Sequence, residues 1–226
     1  PITAVITNLP TVTTETEVSA CINSSITLQA TPSAGTINWY DNITSDTPIA
    51  TGVTFTTPVL TTNTTYYVEA IHNNCISENR TTIDVTVVQL PEAGDNESIT
   101  FCENSTATLN ANINEDVTYL WSTGEITPVI TVNQAGTYSV TITNSSGCEA
   151  TQTFTTTTIT APVISEIQTM NTDEAMVIME DSTEGYEYSI NGVNYQISPV
   201  FRGLRDGFYT AFARSLNGCG ITTRNF

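Results

Sequence analysis

The 226-residue chain contains no lysine and only one histidine. Charged residues make up 12% of it, against about 25% in an ordinary globular domain. The five basic residues are Arg80, Arg202, Arg205, Arg214 and Arg224. Without a lysine amine, Lys–Asn isopeptide cross-links are excluded. With a formal net charge of −18, nucleic acid and anionic lipid are poor partners. No apolar run approaches the roughly 20 residues that span a bilayer, so direct membrane insertion is not expected. No 3.6-residue apolar period persists over three turns, which argues against amphipathic helices.

The chemistry of catalysis is equally thin. There is no P-loop, no dinucleotide-binding glycine pattern and no paired-histidine zinc motif. A zinc site needs three or four nitrogen or sulfur ligands, and a nucleophile needs a base beside it. His72, in the hairpin segment His72-Asn73-Asn74 beside Cys75, supplies neither. The acidic pairs Glu115-Asp116, Asp173-Glu174 and Glu180-Asp181 are adjacent, and adjacent residues on a strand point to opposite faces. A glycosidase carboxylate pair is therefore not indicated. A non-enzymatic chain without an obligatory cofactor is expected.

What is present in quantity is threonine, 45 residues or about one in five. With valine it suits a pleated, half-buried surface. Ile26, Leu28 and Ala30 alternate with polar neighbours, as do Ile37 with Trp39, and Tyr138 with Val140 and Ile142. Around Phe208, Thr210, Phe212 and Arg214 both faces read as covered. Asn191-Gly192, between Tyr188-Ser189-Ile190 and Val193-Asn194-Tyr195, is a two-residue hairpin signal. Many short strands with turn residues between them predict an all-β chain of Ig-like sandwiches.

The chain also repeats itself around its five cysteines. Cys102, Ser105-Thr106-Ala107-Thr108-Leu109, Trp121, Gly136-Thr137-Tyr138 and Gly147-Cys148 follow one order. Cys21, Ser25-Ile26-Thr27-Leu28, Trp39-Tyr40, Thr65-Tyr66-Tyr67 and Cys75 follow the same order. Gly207-Phe208-Tyr209 and Asn217-Gly218-Cys219 repeat only its second half. Three domains are expected, 1–90, 91–160 and 161–226, with boundaries at Gln89-Leu90-Pro91 and Thr160-Ala161-Pro162. Short proline-stiffened linkers predict an extended rod of roughly 100–130 Å if each sandwich adds about 35–40 Å.

Within each repeat the cysteines read as a staple, Cys21 with Cys75 and Cys102 with Cys148, leaving Cys219 a free thiol. Loop closure over some fifty residues stabilises by about 4 kcal/mol, which a small domain needs. Free buried thiols are the rival; a metal site needs close pairs such as C-x₂-C, and there are none. Disulfides imply an oxidising, extracytoplasmic compartment. Trp39 and Trp121 read as core filler beneath the staples. Asp95-Asn96-Glu97, after the first linker, offers oxygen ligands, so Asp95 and Glu97 are a candidate calcium pair. Seven Asn-x-Ser/Thr sequons, at Asn23, Asn42, Asn63, Asn79, Asn96, Asn104 and Asn144, read as composition. Tyr195 and Phe201 are the candidates for an exposed aromatic platform, with a core role as the alternative.

Gly35-Thr36-Ile37-Asn38-Trp39-Tyr40-Asp41 followed by Thr65-Tyr66-Tyr67-Val68-Glu69-Ala70 resembles the Ig-like modules of large secreted and surface proteins of Bacteroidota. Tyr119-Leu120-Trp121-Ser122-Thr123-Gly124 with Gly136-Thr137-Tyr138-Ser139-Val140 is similar to the PKD-like modules beside them. Tyr186 to Gly192, then Gly207-Phe208-Tyr209 to Gly218-Cys219-Gly220, resembles the module that precedes a gliding-motility-type C-terminal sorting domain. The resemblance implies type IX secretion and a cell-surface location. No signal peptide stands at Pro1 and no sorting domain follows Phe226, so the implication concerns a longer parent protein. Asp181-Ser182-Thr183 resembles the Bacteroidota O-glycosylation tripeptide, which makes Ser182 a candidate acceptor. A non-catalytic stalk or adhesive segment is expected, with other domains of the same surface protein, a polysaccharide or a surface ligand as partners. The alternative is the spacer or carbohydrate-binding region of a secreted polysaccharide-degrading enzyme.

Overall fold

The computed structural model describes residues 8–181 and 185–226. Every regular element in it is a strand. The first stretch contains β1 (Val12–Thr14), β2 (Glu17–Cys21), β3 (Thr27–Pro32), β4 (Thr36–Tyr40), β5 (Ala50–Thr51), β6 (Thr54–Thr56), β7 (Thr64–His72), β8 (Cys75–Ile76) and β9 (Thr81–Val88). The second contains β10 (Glu97–Cys102), β11 (Ala107–Asn110), β12 (Val117–Trp121), β13 (Val129–Val132), β14 (Gly136–Asn144) and β15 (Glu149–Ile159). The third contains β16 (Ile164–Asn171), β17 (Glu174–Met179), β18 (Tyr186–Ser189), β19 (Val200–Arg202), β20 (Thr210–Ser215) and β21 (Ile221–Asn225).

Strand pairing stays within these stretches. The first forms the sheets β1-β3-β6 and β2-β9-β7-β4-β5, with β8 on β7. The second forms β10-β15-β14-β12 and β11-β13, and the third β16-β17-β19 and β18-β20-β21. Cα proximity divides the chain differently, into two compact units. One runs to Ala93 and takes in Asn114–Thr118 and Thr141–Ala150; the other comprises Gly94–Ile113, Tyr119–Val140 and Thr151–Phe226.

The predicted alternation becomes the core. Leu28 and Ala30 on β3 are buried and pack with Ile37, Trp39, Val68, Ala70, Ile83 and Val85. Trp39, Phe55 and Tyr66 form an aromatic row with centroids 5.5 and 5.2 Å apart. Trp121 packs on Phe154 at 5.4 Å. Both indoles are buried polar groups with a partner, as burial demands: Trp39 Nε1 donates to Gly52 O at 2.7 Å and Trp121 Nε1 to Thr127 O at 2.7 Å. In the third stretch Tyr186 and Tyr188 of β18 lie with Val177, Phe201, Ala211 and Ala213.

Two local expectations fail there. Asn191-Gly192 does not close a two-residue hairpin: Tyr188 bridges Gln196, and β18 pairs β20 instead. Ser189 Oγ accepts from the Asn191 and Gly192 amides, and Asn191 Oδ1 from those of Val193 and Asn194. Side-chain acceptors thus satisfy a wide loop that a strand ladder would otherwise serve. Phe208 lies before β20 and is fully exposed, rather than half-covered on a strand.

One ionic cluster fastens a loop in the first stretch. Arg80 Nε donates to Glu69 Oε2 at 2.9 Å, its remaining nitrogens to Asn42, Ile43 and Ser45 carbonyls, and its guanidinium lies 3.5 Å from the Tyr40 ring centroid. Tyr40 donates its hydroxyl to Glu69 Oε1 at 2.5 Å; burial first, and Glu69 second, push this phenol above its ordinary range. Removing one partner of such a pair strands the other charge, at about 3–5 kcal/mol when fully buried. Since these side chains keep 15% and 10% exposure, Arg80→Met is expected to cost about 2–3 kcal/mol in urea unfolding. Adding Glu69→Gln should restore part of that loss; a double variant as unstable as the sum of the singles would mean the two are not coupled.

Candidate functional site

The cysteines are the positions at which the structure departs furthest from expectation. Cys21 is bonded to Cys148 (Cα–Cα 5.6 Å) and Cys102 to Cys219 (Cα–Cα 5.2 Å), while Cys75 is free. The expected pairs Cys21–Cys75 and Cys102–Cys148 are therefore corrected, and Cys219 is not a free thiol. Each bridge lies inside one compact unit, the first in the unit ending its main run at Ala93, the second in the other.

Strand direction gives the reason. β2 runs parallel to β9 with Cys21 beside Val88, and β10 runs parallel to β15 with Cys102 beside Ile159. The opening cysteine thus ends up where its stretch of chain leaves the sheet. β7 is antiparallel to β9, pairing Val68 with Thr81, and His72 pairs with Cys75 across the hairpin. Cys75 consequently sits about eleven residue steps from the level of Cys21, or about 35 Å at a strand rise of about 3.3 Å. A disulfide requires Cα atoms within about 7 Å. Cys148 likewise precedes β15 by one residue, eleven steps from Ile159.

A repeated turn presents each opening cysteine. Asn23 and Asn104 take left-handed φ values of 61° and 60°, which asparagine tolerates better than most residues. Ser24 and Ser105 then fold back, donating their hydroxyls to the Cys21 and Cys102 carbonyls at 2.5 and 2.6 Å. Ile22 and Glu103 donate their amides to Val88 and Ile159, each at 2.8 Å. The receiving hairpin is equally built. Asn144 Oδ1 accepts from the Ser146 and Cys148 amides at 3.0 Å, and its Nδ2 donates to Gln89 O at 3.0 Å. One side chain therefore shapes the Cys148 turn and also grips the Gln89-Leu90-Pro91 connection. Ile22, Val88, Leu90, Glu115 and Asn144 line an open groove beside that bridge.

Several sequon asparagines serve the backbone, in turns or across to a neighbouring strand. Besides Asn23, Asn104 and Asn144, Asn63 Oδ1 accepts from Val87 N and Asn96 Oδ1 from Thr153 N. Ser182 lies outside the described residues. Asp95 and Glu97 are exposed; the Asp95 carbonyl accepts from Gln152 Nε2 at 2.8 Å. Among the described residues no group of three His, Cys, Asp or Glu side chains is placed to hold a metal ion.

The other singled-out residues take structural places. His72 is exposed and contacts Asn73. Phe201 is buried, and Tyr195 is covered by Arg214, whose guanidinium lies 4.0 Å from the ring centroid. Arg214 also pairs with Glu187, and Arg202 with Glu174, whose carboxyl the Arg202 and Asn171 hydrogen bonds hold below its ordinary range. Among the described residues no helix is long and apolar enough to cross a membrane.

Residues 8–88 match the family described as Ig-like domain CHU_C associated. No curated protein sequence matches the chain. Among solved structures, the I-band fragment I67–I69 of titin is 13% identical, with 97% of this chain and 98% of that one covered at a TM-score of 0.41. The N-terminal eight Ig domains of Down Syndrome Cell Adhesion Molecule are 15% identical over 95% of this chain and 41% of theirs, at a TM-score of 0.40. Extracellular domains 3–5 of Drosophila OTK are 10% identical over 94% and 93%, at a TM-score of 0.38. The chain is a tandem of Ig-like β-sandwiches.

Peptide mapping without reduction should recover Cys21 joined to Cys148 and Cys102 joined to Cys219, with Cys75 alone alkylated. A Cys21–Cys75 peptide would refute the assignment. Each bridge closes a loop of 127 or 117 residues, which stabilises by about 5 kcal/mol in the loop-closure account. Paired Cys21→Ser and Cys148→Ser substitutions should accordingly lower the unfolding midpoint, and Cys75→Ser should leave it nearly unchanged.

Proposed function

We propose that this chain is a non-catalytic stalk or adhesive segment of an exported cell-surface protein, in which interleaved disulfides limit extension under load. The observation behind this reading is the order of the bonded cysteines: 21, 102, 148, 219, with 21 joined to 148 and 102 to 219. Each bridge spans one end of the other's loop. Two bridges confined to separate repeats would toughen each repeat and leave the rest of the chain free to lengthen.

The covalent path shows the difference. With both bridges closed, tension runs thirteen residue steps from Asn8 to Cys21, crosses to Cys148, returns forty-six to Cys102, crosses to Cys219 and runs seven to Phe226. At about 3.5 Å per step this is about 240 Å, against about 760 Å for the open chain. The extracytoplasmic setting that disulfides favour fits export, as does the family match of residues 8–88. Type IX secretion and attachment in a bacterial envelope are part of the proposal through the sequence resemblance alone.

One observation favours a second reading, a carbohydrate-binding or spacing region of a secreted polysaccharide-degrading enzyme. Phe208 is 103% exposed, and a bare ring can stack on a sugar face.

Single-molecule extension of the oxidised chain, pulled from Asn8 and Phe226, should stop at about 240 Å and lengthen to about 760 Å after reduction. Full extension without reductant would end the proposal. A binding screen of the chain on immobilised polysaccharides, with calcium and with chelator, separates the two readings. Saturable binding lost in Phe208→Ala would favour the enzyme-associated region. Absence of binding at tens of micromolar leaves the stalk, and chelator sensitivity would assign calcium to the Asp95 and Glu97 segment.

A further inference from the structure

The two bridges obey one rule: the opening cysteine of one stretch bonds the hairpin cysteine of the next. Cys21, closing β2, takes Cys148 between β14 and β15; Cys102, closing β10, takes Cys219 between β20 and β21. The third stretch has no opening cysteine. Cys75, between β7 and β9, is a hairpin cysteine of the same class, and the rule leaves it waiting for an opening cysteine on its N-terminal side.

We propose that Cys75 is the receiving half of a further junction, and that its partner is the opening cysteine of another Ig-like module of this repeat entering through Pro10. Three independent features support that partner. First, both hairpin cysteines equivalent to Cys75 are bonded and buried, at 1% exposure for Cys148 and 7% for Cys219, whereas Cys75 is partly exposed with Ile76 beside it at 53%. Second, the chain enters the first stretch at the Cys75 end. Thr11 and Ser33 exchange hydrogen bonds of 2.9 Å, Ser33 lies in the β3–β4 turn, and Gly35 in that turn abuts Ile71 and His72 so closely that a Cβ would strike the Ile71 carbonyl. Third, Leu9-Pro10 stands ahead of Cys21 as Leu90-Pro91 stands ahead of Cys102, eleven residues from proline to cysteine in both. Both prolines are buried and both leucines exposed. The Leu90-Pro91 segment is the connection that a bridged pair of stretches uses, and Leu9-Pro10 has the same make-up and the same distance to its cysteine.

The bond forms by exchange with a small-molecule disulfide. The opening cysteine's thiolate attacks that disulfide and releases one thiol. The Cys75 thiolate then attacks the protein sulfur of the mixed disulfide and releases the second. Two protein thiols lose two electrons and two protons, and one small disulfide becomes two thiols.

The proposal extends the stalk by one junction and stands apart from whether the stalk bears force. Its test is the full chain from Asn8 with a second copy of residues 8–88 fused ahead of it. This join repeats the Val88-Gln89-Leu90-Pro91 connection with Asn8 in place of Gln89. The added copy has Cys75→Ser and Ile22→Val, so its peptides are distinguishable. After folding with oxidised and reduced glutathione, mapping should show the added Cys21 bonded to the original Cys75. Alkylation of Cys75 should fall at least tenfold from the unextended chain, and return when the added Cys21 is replaced by serine. If Cys21–Cys148 and Cys102–Cys219 form while Cys75 and the added Cys21 both alkylate, the junction is refuted and the assigned bridges stand. If those two bridges are also absent, the pairing rule itself fails. A Cys75–Cys75 dimer of the unextended chain, seen on a non-reducing gel, would overturn the proposal in favour of a second copy as partner.

Discussion

Parallel pairing of the first long strand with the last, within one sandwich, is the constraint on which this architecture turns. An antiparallel partner would leave the end of the opening strand at the entrance of its sheet. The parallel one leaves it at the exit, where the next stretch of chain begins. β2 on β9 and β10 on β15 both have this arrangement, so Cys21 and Cys102 sit beside Val88 and Ile159, the last residues of their sheets. Everything particular to the cysteines follows from that placement. A cysteine at the exit can reach only what comes next, and what comes next presents a hairpin.

The hairpin is shaped for the task by polar side chains rather than by apolar packing. Asn144 sets the Cys148 turn and holds the preceding connection at Gln89, so the loop that carries the sulfur is already oriented by its neighbour's backbone. Asparagine recurs at such places because its amide mimics a backbone turn and its backbone tolerates left-handed φ. The abundance of Asn beside Ser and Thr, which produces seven glycosylation-like triplets, thus has a conformational origin at many of its positions.

The sandwich fold was legible in the sequence because its signals are local: alternation at Leu28-Ala30 and Val140-Ile142, and a tryptophan at nearly the same offset from each opening cysteine. The disulfide partners were not legible, since a bond depends on strand direction and the repeat alone leaves direction open. Pairing inside each repeat matched the cysteine count as well as pairing across repeats did. The third repeat held the deciding signal. It has a hairpin cysteine and no opening one, and read as a rule rather than as an exception it asks for a partner in the repeat before. The Asn191-Gly192 turn failed for a related reason: Ser189 offered its hydroxyl to the same amides, and nothing in the dipeptide reveals that competitor.

Interleaving also alters what each bridge contributes. A staple inside one sandwich would compensate for the limited burial of a small domain. Here the apolar clusters around Trp39 and around Tyr186 and Tyr188 contain no cystine, and the bridges join strand ends to hairpin turns. The sandwiches hold themselves together by burial, while the bridges constrain how the successive stretches of chain can part. Reduction should therefore affect extension first and the packing around Trp39 much less, because the constraint lost is one on the path of the chain and not on the core.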